Sequence, residues 1–309
     1  MAKYILRRLL QMIPVIIGAT FLLFVLVYAL PGDPWVGRCG ERDCTPAYIE
    51  AFKREYNLDK PLLVQYLLYL GKLVRGDLGT NFYHNSVAGE LAARYPTTLK
   101  LALIALVFEA VVGIAAGVLA GIRKGRFIDS FVTVSTLVLI SIPVFVIGSV
   151  AQFGILKAGL KHVIPVTASQ GTWQQLMLPG LVLGSLSVAY VARLTRTNLV
   201  ENLRADYVRT AKAKGLSNAR TIGVHTLRNS LIPVITFMGY DFGALMGGAI
   251  VTERIFNING VGGFIYRSLN QQDGISVVGA VTCLVLVYLL MNLLVDVLYS
   301  VLDPRITND

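Results

Sequence analysis

The chain has 309 residues, 55% of them hydrophobic and only 15% charged, which is too apolar for an ordinary soluble domain with about 25% charged residues. The net charge of +10 could suit nucleic acid, but the basic residues sort by membrane side instead. Three scattered histidines and three scattered cysteines give no metal spacing, and no GxxxxGK[ST] phosphate loop occurs, so neither a metal site nor ATP hydrolysis by this chain is expected.

Residues 1–8 carry Lys3, Arg7 and Arg8, and Leu9–Leu30 is apolar throughout. That run is too long for a signal-peptide core, and no small-residue cleavage site follows it. It predicts a retained first transmembrane helix, with Pro14 in the early turns. Residues 31–97 form the longest polar segment, an external loop with short helices. Pro31-Gly-Asp-Pro34 stops the first helix. Thr45-Pro46 signals a helix over about 47–56. Leu62–Val74 reads as an amphipathic helix whose Tyr66 and Tyr69 suit a membrane interface. Cys39 and Cys44 lie close in this loop, where they form either a local disulfide on an oxidising side or two free thiols.

Five further spans complete a core over 98–303. Leu101–Ile122 carries Gly113, Gly117 and Gly121 at a spacing that lets a neighbouring helix approach closely. The basic turn Arg123–Arg126 follows. Phe131–Leu156 is the third span, kinked at Ser141-Ile-Pro143. Leu176–Val191 is the fourth, extended to Leu194 if Arg193 snorkels. Leu231–Thr252 is the fifth, with Gly239, Gly243 and Gly247 on one face. Residues 253–274 connect externally, with a loop at 259–263 and a short helix at Phe264–Asn270. Ile275–Leu302 is the sixth, and Asp303-Pro304 leads into the tail. The expected architecture is an all-α polytopic membrane protein of six transmembrane helices.

Between the fourth and fifth spans lies a polar stretch, 193–230, too charged to enter lipid. Residues 206–214 predict a short helix, Gly215 suits the left-handed position past its end, and Ser217 can cap a second helix running toward Leu231. Two short helices with a glycine elbow suit docking into a groove on a soluble partner; a solvated loop is the plainer alternative. Basic residues crowd the segments 1–8, 123–126 and 193–228, whereas the short loops on the other side hold Lys157, Lys161, Arg254 and Arg267. Both termini, the tail 304–309 and the loop 193–230 are therefore expected in the cytoplasm.

The stretch reads Asp206-Tyr-Val-Arg-Thr-Ala-Lys-Ala-Lys-Gly215 and ends in Ser230-Leu-Ile-Pro233. It resembles the signature loop of permease subunits of binding-protein-dependent ABC transporters, in the oligopeptide/dipeptide/nickel branch. Arg209 and Thr210 stand where the general pattern has Glu-Ala, Ala211 and Gly215 match it, and Arg228 falls where a proline would. Ala29-Leu-Pro-Gly-Asp-Pro34, Arg75-Gly-Asp-Leu-Gly79, Tyr95-Pro-Thr-Thr98 and Gly248-Ala-Ile-Val-Thr-Glu253 carry the same resemblance over nearly the whole chain. It implies a type I importer permease fold in the bacterial cell membrane, with no catalytic centre in this chain. The implied partners are a second, paralogous permease, two ATP-binding subunits that hold the ATP and Mg, and an external binding protein. The coupling contacts would be Tyr207, Arg209, Ala211, Lys212, Gly215 and Leu216, with Arg123–Arg126 as a second contact. The implied cargo is a di- or oligopeptide, with nickel chelate or haem as alternatives.

Three carboxylates fall within spans, where charge is costly and often functional: Glu109, Asp241 and Asp296. Asp241, with Ser185, Ser187 and Tyr190 of the fourth span and Ser141 of the third, is expected to line a polar translocation path; a structural pairing is the alternative. Mid-membrane carboxylates also suit an ion-coupled secondary carrier, although no internal repeat of the kind common in carriers is evident. A membrane-bound enzyme or receptor is the remaining class, without a nucleophile–base set to support it.

Overall fold

The computed structural model describes residues 2–28, 35 and 44–302. Cys39, the Pro31–Pro34 stop and the tail lie outside those residues, and with them the proposed Cys39–Cys44 pairing. Among the described residues there is no strand; Thr80 and Ser86 form an isolated bridge.

Helix α1 covers Ala2–Tyr28, α2 Pro46–Glu55 and α3 Leu62–Val74. The Thr45 side chain caps α2 with Pro46 in its first turn, as the Thr-Pro pair predicts. α3 does not merely float at an interface. Tyr66 is buried, its hydroxyl donates to Ile17 O at 2.8 Å and meets Thr20 Oγ1 at 2.9 Å, and Tyr69 meets Thr282 Oγ1 at 2.8 Å. The helix is thereby fastened to the first and last spans.

The second span begins much earlier than Leu101. α4 runs Val87–Phe108 from a Ser86 cap, passes through a π turn at Glu109–Gly113, and continues as α5, Ile114–Ile122. Its first turns look like loop in sequence because they carry Glu90, Arg94, Pro96 and Lys100. Glu90 pairs with Arg94, and Lys100 lies over the Trp173 ring at 5.8 Å.

The third span is more than kinked. α6 (Phe127–Ser141) and α7 (Val144–Lys157) meet at 98°. Pro143 drives the preceding Ile142 into an extended conformation, ψ 123, which a helix cannot continue through. Ser141 Oγ turns back to Leu137 O at 2.8 Å. At 1.5 Å per residue neither piece alone crosses about 30 Å of hydrocarbon. Five described helices are long and apolar enough to span a membrane, and the bent pair makes the sixth if counted as one span.

α8, Trp173–Asn202, is the central helix and longer at both ends than Leu176–Leu194. It runs parallel to α4 and α5 along a seam of small residues. A Cβ on Gly113 would lie 2.7 Å from Val191, one on Gly117 2.5 Å from Ala192 O, and one on Gly121 3.0 Å from Leu199. The glycines predicted to admit a neighbour do so, and the neighbour is α8. After α9 (Asp206–Ala213) and the single turn α10 (Asn218–Arg220), a π turn at Thr221–Thr226 leads into α11, Leu227–Gly248. Gly239 abuts Val295 and Gly243 abuts Met291, whereas Gly247 faces open space. The fifth span breaks at Ala249, and α12 (Ile250–Ile255) follows. α13 occupies Val261–Asn270, so Gly262 and Gly263 are helical rather than loop. α14 closes the bundle over Gly274–Leu302.

Because α5 and α8 end side by side, α9 sits at one end of the bundle. The start of α4 lies with α13 and the start of α14 at the other, in a cluster that includes Val87, Leu91, Val261, Phe264 and Ala280. Apolar side chains such as Leu22, Val111, Phe131, Val150 and Leu290 remain exposed along the spans, as lipid-facing residues should.

Candidate coupling and translocation sites

The elbow forms as its residues dictate. Asp206 stands in the first turn of α9, where a negative charge meets the positive end of the helix dipole. Gly215 has φ +80, a conformation that costs glycine little, and Ser217 Oγ accepts from Arg220 N to start the next helix. That second helix does not stop near Leu231; it continues into the fifth span, so the second helix and the span are one rod. α9 turns Val208 and Ala211 inward against its own chain. Tyr207, Arg209, Lys212 and Gly215 face outward, and Leu216 is half-buried. Ala211 thus packs against its own chain. The Tyr207 hydroxyl donates to Asn202 Oδ1 at 2.9 Å, and Ser230 Oγ lies 3.4 Å from Asn198 O. Both ends of the elbow are therefore bonded to the last turns of α8.

Near this end, two buried carboxylates are paired with arginines. Asp129 takes both the Nε and the NH2 of Arg196, the latter at 2.8 Å, and a third bond from Gly125 N at 2.9 Å. That fork holds the 123–126 turn onto α8. Asp296 pairs with Arg8 at 3.3 Å and accepts from the Tyr240 hydroxyl at 2.7 Å. It fastens α1, α11 and α14 together.

The polar residues expected along a path differ in exposure. Ser187 is buried, Tyr190 is half exposed, and Ser141 is exposed at the bend of the third span. Ser185 is spent on Val182 O at 2.7 Å. Glu109 is fully buried in the π turn, a feature often found where helices depart from regularity for function. Asp241 of α11 and Ser187 of α8 lie within interaction distance of it, although neither Glu109 oxygen, nor Asp241 Oδ2, has a partner in good hydrogen-bond geometry. Three helices thus converge on a facing pair of carboxyl groups.

At the opposite end lies a site missed in the sequence. Glu253 is fully buried, accepts from Thr98 Oγ1 at 2.7 Å and from Gly263 N at 2.7 Å, while Val261 N donates to Thr98 Oγ1 at 3.0 Å. Thr98 and Glu253 close two of the motifs quoted above. A Cβ on Gly260 would lie 2.3 Å from Glu253 Oε1. The signal was present in those motifs, but nothing in hydropathy says they meet.

A bundle in which five described helices are long and apolar enough to cross a bilayer is that of a polytopic membrane protein. The chain belongs to the binding-protein-dependent transport system inner membrane component family, whose model matches residues 113–308, with the N-terminal model of the same systems matching 1–102. It is 37% identical to the di/tripeptide transport system permease protein DppB of Pseudomonas aeruginosa, and 36% identical to the dipeptide transport system permease protein DppB of Escherichia coli K12. It is also 36% identical to the glutathione transport system permease protein GsiC of Escherichia coli K12. Each comparison covers 99% of both chains. The chain is thus a multi-pass membrane component of a binding-protein-dependent transporter. Neither an ion-coupled carrier nor a membrane-bound enzyme or receptor fits that membership.

Proposed function

We propose that the chain forms half of the translocation path of an ATP-driven importer for di- and oligopeptides. The relatives named for dipeptide, di/tripeptide and glutathione transport support peptides over nickel chelate or haem. The other half is a paralogous permease. Two ATP-binding subunits hold ATP and Mg beneath, and a binding protein delivers cargo from outside. Both termini and the elbow face the cytoplasm, following the basic residues.

The observation that carries this reading is the elbow. Its exposed face offers Tyr207, Arg209 and Lys212 to a groove, and its other end is continuous with α11. A push on α9 therefore reaches the fifth span through the single Gly215 turn. Arg123–Arg126 gives a second contact, anchored through Asp129. Asp241 and Ser187, beside Glu109, are the polar groups where α8 and α11 would part during alternating access.

Gly215→Pro tests the lever. Proline cannot adopt φ +80 and deletes the N–H that Gly215 gives to Lys212 O at 2.9 Å. The variant complex should assemble and hydrolyse ATP but lose at least tenfold in peptide uptake per ATP. Unchanged coupling would refute the lever. Failure of the unmutated complex to take up peptides, with uptake of a nickel chelate or haem, would overturn the substrate class.

A further inference from the structure

Two helices enclose an apolar groove of about 560 Å³ on the flank of the bundle. Leu103, Val107 and Val111, four residues apart along the second span, form one wall. Trp173, Met177 and Leu181, four apart along α8, form the other. Val107, Val111, Trp173 and Met177 are exposed. The groove starts at the end of the bundle away from α9, where α8 begins, and runs toward the π turn. From Leu103 to Val112 it follows about 14 Å of helix. That is close to one leaflet of a hydrocarbon core about 30 Å thick.

The mouth of the groove carries a charge. Lys100 stands one turn before Leu103 on α4, and its Nζ lies 5.8 Å from the centroid of the Trp173 ring. Among the described residues it has no ion pair. The loop 157–172 contains no acid, and α8 contains none before Glu201. The lip is therefore a cation beside an indole, and the trough below it is wholly apolar.

A second helix would fit this trough poorly. Helices in lipid approach one another through small residues, as α8 meets Gly113, Gly117 and Gly121. No glycine, alanine or serine lines the groove. An acyl chain asks only for apolar contact, an indole suits the headgroup level, and an ammonium is a point charge for a phosphate. We propose that the groove seats an acyl chain of an anionic phospholipid, with the phosphate held by Lys100 beside Trp173. A zwitterionic lipid is a weaker match, because its own ammonium already balances its phosphate.

The test places the whole complex in nanodiscs containing phosphatidylglycerol or phosphatidylethanolamine with brominated acyl chains. Trp173 fluorescence is read as the difference between the complex and its Trp173→Phe form. Brominated phosphatidylglycerol should quench that signal at a mole fraction about fivefold lower than brominated phosphatidylethanolamine, the preference one lysine near a headgroup confers. Lys100→Gln should erase the preference while leaving quenching by either lipid. Val107→Phe combined with Val111→Phe, at two exposed positions, should fill the trough and reduce quenching by both. Equal quenching by the two lipids in the parent complex would overturn the proposal, as would no quenching or a preference that survives Lys100→Gln. Loss of a partner subunit from the filled variant would also overturn it, because the groove would then be a protein interface.

Discussion

Two buried glutamates show how differently one fold can treat the same side chain. Glu253 sits between α4, α12 and α13 with a hydroxyl and a backbone N–H aimed at its two oxygens. Glu109 sits in the π turn after α4, with the Asp241 carboxyl of α11 and the Ser187 hydroxyl of α8 as polar neighbours and neither oxygen in a hydrogen bond of good geometry. Both are fully buried, so burial alone does not distinguish them. What differs is satisfaction. A buried acceptor with its donors in place is a fastening; one without them is a cost held in reserve, tolerated where helices must shift. The first end of the bundle is thus locked, and the middle is poised.

The largest expected effect comes from breaking the lock. Glu253→Ala leaves the Thr98 hydroxyl and the Gly263 N–H unmatched in the interior, a loss of about 3 kcal/mol or more. The purified complex should unfold at a clearly lower temperature, and less of it should reach the membrane. Gly260→Ala should mimic it, because the new methyl occupies the position of the Glu253 carboxylate. A melting temperature unchanged in both variants would remove the distinction between the two glutamates. Thr98→Val is the milder cut, of similar shape. It deletes one donor to Glu253 and the acceptor for Val261 N, so about 1.5–3 kcal/mol is expected from a bond to a charged group. An effect equal to that of Glu253→Ala would mean that Thr98, not the carboxylate, holds α13.

How much of this was legible beforehand follows the range of the interactions. The elbow is local: Gly215, Ser217 and the alternation of apolar and basic residues in 206–214 specify it within a dozen residues. Leu62–Val74 is equally local and appears with the bounds its apolar period implies. The Gly113, Gly117 and Gly121 stripe announces a close neighbour without naming it. Hydropathy misplaced the start of the second span, because charges that pair within the fold look like loop when read one by one. It could not give the 98° bend either, since a proline predicts a break but not the angle that packing then selects. The Glu253 lock was beyond reach, since its partner Thr98 is 155 positions away in sequence. Long-range polar partners leave no periodic trace.

The smallest expected effect is the sharpest test of the contrast. Glu109→Gln keeps the volume and removes one of two facing carboxyl groups, while the new amide can donate to Asp241. Two facing carboxyl groups in an apolar bundle cannot both ionise, so one of them already carries a proton, and the amide replaces it with a neutral donor of similar size. Stability should therefore stay within about 1 kcal/mol of the parent or rise, a result opposite in sign to Glu253→Gln, where an amide would set its own N–H against the donors it meets. Paired melts of the two glutamine variants, in the same detergent and lipid, decide it. A drop for Glu109→Gln as deep as that for Glu253→Gln would show that the π turn conceals a fastening of its own. In that case Glu109 would join Glu253 as a structural tie, and Asp241 would lose its place as a group freed when α8 and α11 part.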